Sequence, residues 1–179
     1  MTTGFAADRR EILKAAILLV GGSLAGGTLA SCTARDPDGP VFDPENFALL
    51  DAICETIIPQ TDTPGASAAG VPHFIEGMMS RWASDRTRTQ FQGALTAIDD
   101  FARREGGKRF LQLSPEARTR LLTAHDAKGT EDWTALRRLT LMGYYLSEPG
   151  ATQELRYELV PGAWDPAVPV TPETRTWAA

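Results

Sequence analysis

The 179-residue chain has only two cysteines, Cys32 and Cys54, and two histidines, His73 and His125. Haem attachment needs C-x-x-C-H and an iron–sulfur cluster needs several thiolates, so neither is expected in this chain. The histidines are far apart and lack H-x-x-x-H or H-E-x-x-H spacing, which leaves no zinc motif. His73 follows Pro72 at a helix start and His125 falls at a helix end, so both read as surface or capping residues. No G-x-G-x-x-G or P-loop is present, and neither Ser114 nor Ser147 has a G-x-S-x-G context, so nucleotide binding and hydrolase chemistry have no support. Asp99 and Asp100 are adjacent and point to different helix faces, unlike a paired acid and base. Positive charge is also short, with 18 Lys and Arg against 23 Asp and Glu and a net charge of −5, and there is no basic block. Nothing therefore suggests nucleic acid as a partner. Finally, the apolar stretch from Ala15 to Ala30 falls short of the roughly 20 residues of a membrane-spanning helix, and Gly21, Gly22, Gly26 and Gly27 weaken it as a helix.

That stretch reads instead as the apolar part of a signal peptide. Ahead of it Arg9, Arg10, Ile12, Leu13 and Lys14 resemble a twin-arginine export signal, with Asp8 and Ile12 where Ser or Thr and Phe are common. After it, Leu29-Ala30-Ser31-Cys32 resembles a lipobox, in which the Cys32 thiol would take the lipid. The expected organisation is a signal peptide over 1–31, a tether over 32–42 and a domain over 43–179. The chain would be exported through the twin-arginine translocase to the periplasm and held at the membrane by lipid on Cys32. Cleavage further on, for example after Ala34, would instead leave it soluble in the periplasm. Losing three basic and two acidic residues with the signal moves the net charge from −5 to −6. Cys54 is then left without an intrachain partner and reads as a small buried apolar residue. The twin-arginine route carries folded proteins, which usually hold a cofactor or travel with a partner that does.

Along the domain, Asp43-Pro44-Glu45 predicts a helix start, and Phe47, Leu50, Ile53, Cys54 and Ile57 recur at helical spacing until Pro59. A loop without hydrophobic period runs from Pro59 to Pro72. A second helical stretch carries Phe74, Ile75, Met78, Met79 and Trp82 as a core stripe. It continues after a polar break with Phe91, Leu95, Ile98 and Phe101, and Gly106 and Gly107 close it. Ser114-Pro115 starts another helix with Leu121 and Leu122 buried. The last pattern, Trp133, Leu136, Leu139, Leu141, Met142, Tyr144 and Tyr145, has an apolar arc wide enough for two neighbours. The fold class expected is all-α, a small helical bundle with a long loop after the first helix. From about residue 149, five prolines and the tryptophans Trp164 and Trp177 predict an extended irregular arm that wraps the bundle or lies on a partner.

Two segments, "LLDAICETIIPQTDTPGASAAGVPHFIEGMM" and "MGYYLSEPGATQELRYELVPGAWDPAVPV", resemble the start and end blocks of the gluconate 2-dehydrogenase subunit 3 family. The matching residues are Ile58-Pro59, Thr61 to Ala66, Ala69 to Pro72, Gly143-Tyr144-Tyr145, Gly150-Ala151-Thr152 and Leu155-Arg156-Tyr157. The resemblance implies a small, helical, noncatalytic subunit of a bacterial dehydrogenase of sugars, sugar acids or polyols. It implies FAD in a large partner subunit of the glucose–methanol–choline type, haem c in a multi-haem cytochrome subunit, and no cofactor in this chain. The twin-arginine signal would then serve both this chain and the large subunit. Because the 59–72 loop and the 143–170 arm are non-helical, glycine-bearing and aromatic-flanked, they are the expected interface, through Asp62, Pro64, Gly65, Tyr144, Tyr145, Arg156, Tyr157 and Trp164. Arg156 and Tyr157 could instead pin the arm to the bundle. Two other readings stay open at this point, a free-standing envelope lipoprotein with a binding role and an enzyme in its own right.

Overall fold

Asp43 begins the first helix by turning its carboxylate onto the backbone N–H groups of Glu45 and Asn46, at 3.0 and 2.8 Å. This satisfies donors that an uncapped helix leaves open. The computed structural model describes residues 39–160, 162, 167, 169–172 and 174–178. Arg9, Arg10, Ile12, Leu13, Lys14, Cys32 and Trp164 lie outside them.

The described chain forms α1 (Pro44–Ile57), α2 (Val71–Arg81), α3 (Asp85–Gly106), a 3-10 turn (Phe110–Gln112), α4 (Pro115–Asp126), α5 (Glu131–Tyr145) and a single π turn (Gly150–Glu154). Each α-helix starts where local chemistry favours it. Ser84 and Ser114 cap α3 and α4 by accepting the N–H of Thr87 and Ala117, and α2 enters from Gly70 at φ 75°. The helices then gather around α1, which packs on α2, α3, α4 and α5, while α2 and α3 also lie against α5. Leu50 and Ile53 of α1, Ile75 of α2, Leu95 and Ile98 of α3, Leu136 of α5 and Phe110 of the 3-10 turn are almost wholly buried. Burial of this kind is the main favourable term for a domain this size. No strand occurs among the described residues, only one isolated bridge between Arg156 and Trp177. The all-α bundle is as the hydrophobic spacing predicts.

Four details differ from the sequence reading. The long second pattern is two helices, because α2 ends at Arg81 and Ser84 caps a new one. Trp82, expected in the core stripe, is the residue that closes α2 and stands 77 % exposed. His125, expected as a surface or capping residue at a helix end, does fall in the last turn of α4 but is buried between the rings of Phe101 and Trp133, with centroids 5.3 and 5.5 Å away. Its position four residues after Leu121 puts it on the core face of α4. Last, the 143–170 segment, expected to be non-helical, begins inside α5, which runs to Tyr145, and holds the π turn over Gly150–Glu154. On α3, Asp99 is buried. It accepts hydrogen bonds from the Phe110 N–H at 2.9 Å, Arg109 Nε at 3.0 Å and Arg103 Nη2 at 2.9 Å, and so fastens the 3-10 turn to α3.

Candidate partner-docking site

The loop between α1 and α2 is anchored from both sides. From α1, the Glu55 carboxylate accepts the N–H of Gln60 and of Ser67, each at 3.0 Å, and Asp51 accepts the Ser67 hydroxyl at 2.7 Å. Gly65 is a glycine for lack of room, since a Cβ there would meet the Glu55 carboxylate and stand 2.7 Å from the Gln60 nitrogen. Backbone bonds from Ala66 N–H to Ile58 O and from Val71 N–H to Ala66 O, at 2.9 and 3.0 Å, close the loop on itself.

From the other side comes the end of α5. The Tyr144 hydroxyl donates to the Pro64 carbonyl at 2.9 Å and lies 3.4 Å from the Thr63 hydroxyl, which donates to Glu154 at 3.1 Å. Two glycines permit this junction. A Cβ on Gly143 would sit 2.8 Å from the Phe74 ring, and one on Gly150 would fall against the Tyr144 carbonyl oxygen. Ser147 stitches the turn between them, donating to Tyr144 O at 2.6 Å and accepting the Gly150 N–H at 3.2 Å. With its back held by carboxylates and a buried phenol, the loop presents Pro59, Gln60, Thr61 and Asp62 to solvent. A surface loop pre-organised in this way loses little entropy when it meets a partner.

The structure therefore brings Asp62, Pro64, Gly65 and Tyr144 into one region. Tyr144 is 2 % exposed and Gly65 is buried, so these two shape the loop from behind. Tyr145 is 41 % exposed and packs edge-on against Tyr144, with ring centroids 5.4 Å apart. Arg156 and Tyr157 follow the π turn. Arg156 ties the arm to its own tail: its N–H donates to Thr176 O at 2.8 Å, its carbonyl accepts from Ala178 at 2.9 Å, and its guanidinium lies 4.1 Å from the Trp177 ring centroid. Tyr157 is exposed beside it.

Asp51, Glu55 and Glu154 escaped the sequence reading, and Thr63 entered it only within the Thr61 to Ala66 match. The first two stand one helical turn apart on α1, and only the folded loop shows what they hold. Beneath the site, Cys54 is fully buried with its sulfur 3.6 Å from the Thr140 hydroxyl, and burial pushes its thiol up to about 12. That thiol is a packing group, not a nucleophile. Among the described residues no cluster of His, Cys, Asp and Glu has the makings of a metal site. No described helix is long and apolar enough to cross a membrane. What this arrangement can do is present a stiff, acid-tipped loop and an aromatic edge to another protein.

A family model described as gluconate 2-dehydrogenase subunit 3 matches residues 44–162, from the first residue of α1 to beyond the π turn. The match takes in the loop, the end of α5 and Arg156. No curated protein and no solved structure matches the chain.

Proposed function

The chain belongs to the gluconate 2-dehydrogenase subunit 3 family and is thus a subunit of a dehydrogenase complex, in which we propose that it serves as the noncatalytic small subunit and export escort. The observation that carries this proposal is the coincidence of two features in one chain. The family match spans the whole helical bundle, and ahead of the bundle the sequence carries residues that resemble a twin-arginine motif and a lipobox. A signal for folded cargo makes physical sense on a subunit whose partner folds around a cofactor before export.

In this proposal a large subunit of the glucose–methanol–choline type holds FAD and oxidises a sugar, sugar acid or polyol. A multi-haem cytochrome c takes the electrons. This chain binds the flavoprotein in the cytoplasm and leads it through the twin-arginine translocase, and lipid on Cys32 then helps to keep it at the periplasmic membrane face. The loop tip at Asp62, the Tyr145 edge and Arg156 with Tyr157 are the contacts offered, while Pro64, Gly65 and Tyr144 hold the loop in shape.

The test is fractionation of the native host carrying the chain with Arg9→Lys and Arg10→Lys together. Because paired arginines are what that route reads, the proposal predicts that the flavoprotein accumulates in the cytoplasm along with the variant chain. A flavoprotein that still reaches the periplasm would show that it travels by other means. A chain that reaches the membrane with no flavoprotein would mark a free-standing lipoprotein.

A further inference from the structure

Large apolar side chains left in water gather in one part of the bundle. Trp82 is 77 % exposed at the end of α2, and Met142 and Leu146 are 47 % and 65 % exposed at the end of α5 and just past it. Between these two helices and the start of α3 runs an open groove of about 570 Å³, with the buried Met79 of α2 and Phe91 of α3 among its lining. Arg138, Met142, Tyr145 and Leu146 recur at helical spacing along α5 and its end, so the stripe runs from the groove toward the turn that holds the loop. The other large apolar side chains exposed among the described residues are Leu141 and members of the arm, and α1, α3 and α4 contribute none. A patch confined in this way marks an interaction surface more than it does chance exposure.

The charge at the groove says what would fill it. Arg138 is the one charged side chain in its lining, and among the described residues it has no ion pair. Its neighbour Arg137, by contrast, is satisfied by Asp126 at 2.7 Å. A guanidinium beside apolar walls is matched by a carboxylate carried on an apolar segment. A second copy meeting it groove to groove would bring two Arg138 guanidiniums into one interface, a like-charge arrangement that costs affinity. Trp and Arg are also the residues on which interface energy most often concentrates.

We infer that this groove seats an apolar, carboxylate-bearing segment of another subunit of the dehydrogenase, with Trp82 as its anchor and Arg138 fixing its register. The inference rests on the reading of the chain as a subunit. It adds a second contact, distinct from the loop tip.

A photo-crosslinking residue in place of Met142 in the full tagged chain, expressed in the native host, tests it. The unmodified chain is purified first. If that preparation brings down no flavin-bearing subunit, the proposed function itself falls and takes the groove with it. If a flavoprotein is captured, the crosslink is expected on one of its peptides, rich in apolar residues and containing Asp or Glu. Trp82→Ala should weaken capture by about 30-fold or more, the mark of an interface hot spot. Arg138→Glu should do the same and be rescued by placing Arg at the crosslinked acid. Both side chains are exposed, so thermal stability should stay close to wild type and exclude misfolding. Capture that persists in both variants, or a crosslink only to a second copy of this chain, would overturn the inference.

Discussion

Replacing Tyr144 by Phe isolates the bond on which the loop's shape depends. The ring stays in place, so no cavity opens and the cost is that of the hydroxyl alone. The hydroxyl donates to the Pro64 carbonyl at 2.9 Å and stands 3.4 Å from the Thr63 hydroxyl. A net hydrogen bond contributes about 1 kcal/mol, and leaving a half-buried carbonyl without its donor adds up to about 1 kcal/mol more. The variant should therefore lose about 1–2 kcal/mol. For a domain of this size that lowers the Tm by about 3–8 °C. The loss should also be local. Amide exchange at Thr61, Ala66 and Ser67 should quicken about 5- to 30-fold, the population change that such an energy produces, while core amides of α1 and α3 follow only the global drop. Thermal denaturation followed by circular dichroism, with hydrogen exchange read by mass spectrometry, makes both comparisons. An unchanged Tm with unchanged exchange in the loop would refute the claim that α5 holds the loop. Tyr144→Ala is a poorer probe, because its cavity adds about 3–5 kcal/mol that has nothing to do with the loop.

Other outcomes follow from the same structure. Gly150→Ala should cost about 1–3 kcal/mol in a thermal melt, because the new Cβ meets the Tyr144 carbonyl oxygen and stands 2.8 Å from its carbon, backbone that cannot step aside. Cys54 should resist a thiol reagent at pH 8 and react fully once denaturant is added; rapid labelling of the folded chain would contradict its burial and its raised pKa of about 12. His125 has a pKa lowered first by burial and then by Lys128, so the unfolded chain binds its proton more readily than the folded one. Its contribution to stability is thus present above the ordinary histidine value near 6.5 and is lost as the pH falls below it. A His125→Phe variant should show a shallower fall in Tm between pH 7 and 5 than the wild type, and an identical slope in the two proteins would count against this role.

How much of this was legible beforehand depends on the range of the interaction. Asp43-Pro44 and Ser114-Pro115 gave their helix starts directly, because caps act on the next three residues. The all-α class followed from apolar spacing in the same way. Trp82 was misplaced because it continues the four-residue spacing of Phe74 and Met78 in sequence, but α2 stops one residue before it. Its backbone stays in the right-handed helical region with its N–H on Met78 O, but Phe74 and Met78 are themselves only half-buried, so the row that Trp82 continues lies beside the core face of Ile75 and Met79. His125 went the other way, since a residue in the last turn of a helix reads as a cap until the four-residue step from Leu121 is given more weight. The loop was readable as a loop from its breakers. Its stiffness was not, because the bonds that hold it reach from Pro64 to Tyr144 and from Thr63 to Glu154, pairings that only the packing of α2 against α5 brings about.

The central claim is that the chain works as the small subunit of a flavoprotein dehydrogenase, and it can be put to the test in one preparation. A C-terminally tagged full chain, purified in mild detergent from membranes of its native host, would be examined by visible absorbance and by mass spectrometry of the intact eluate. The account predicts a yellow eluate in which one larger, flavin-bearing polypeptide accompanies the chain in fixed ratio. A colourless eluate containing this chain alone would contradict it.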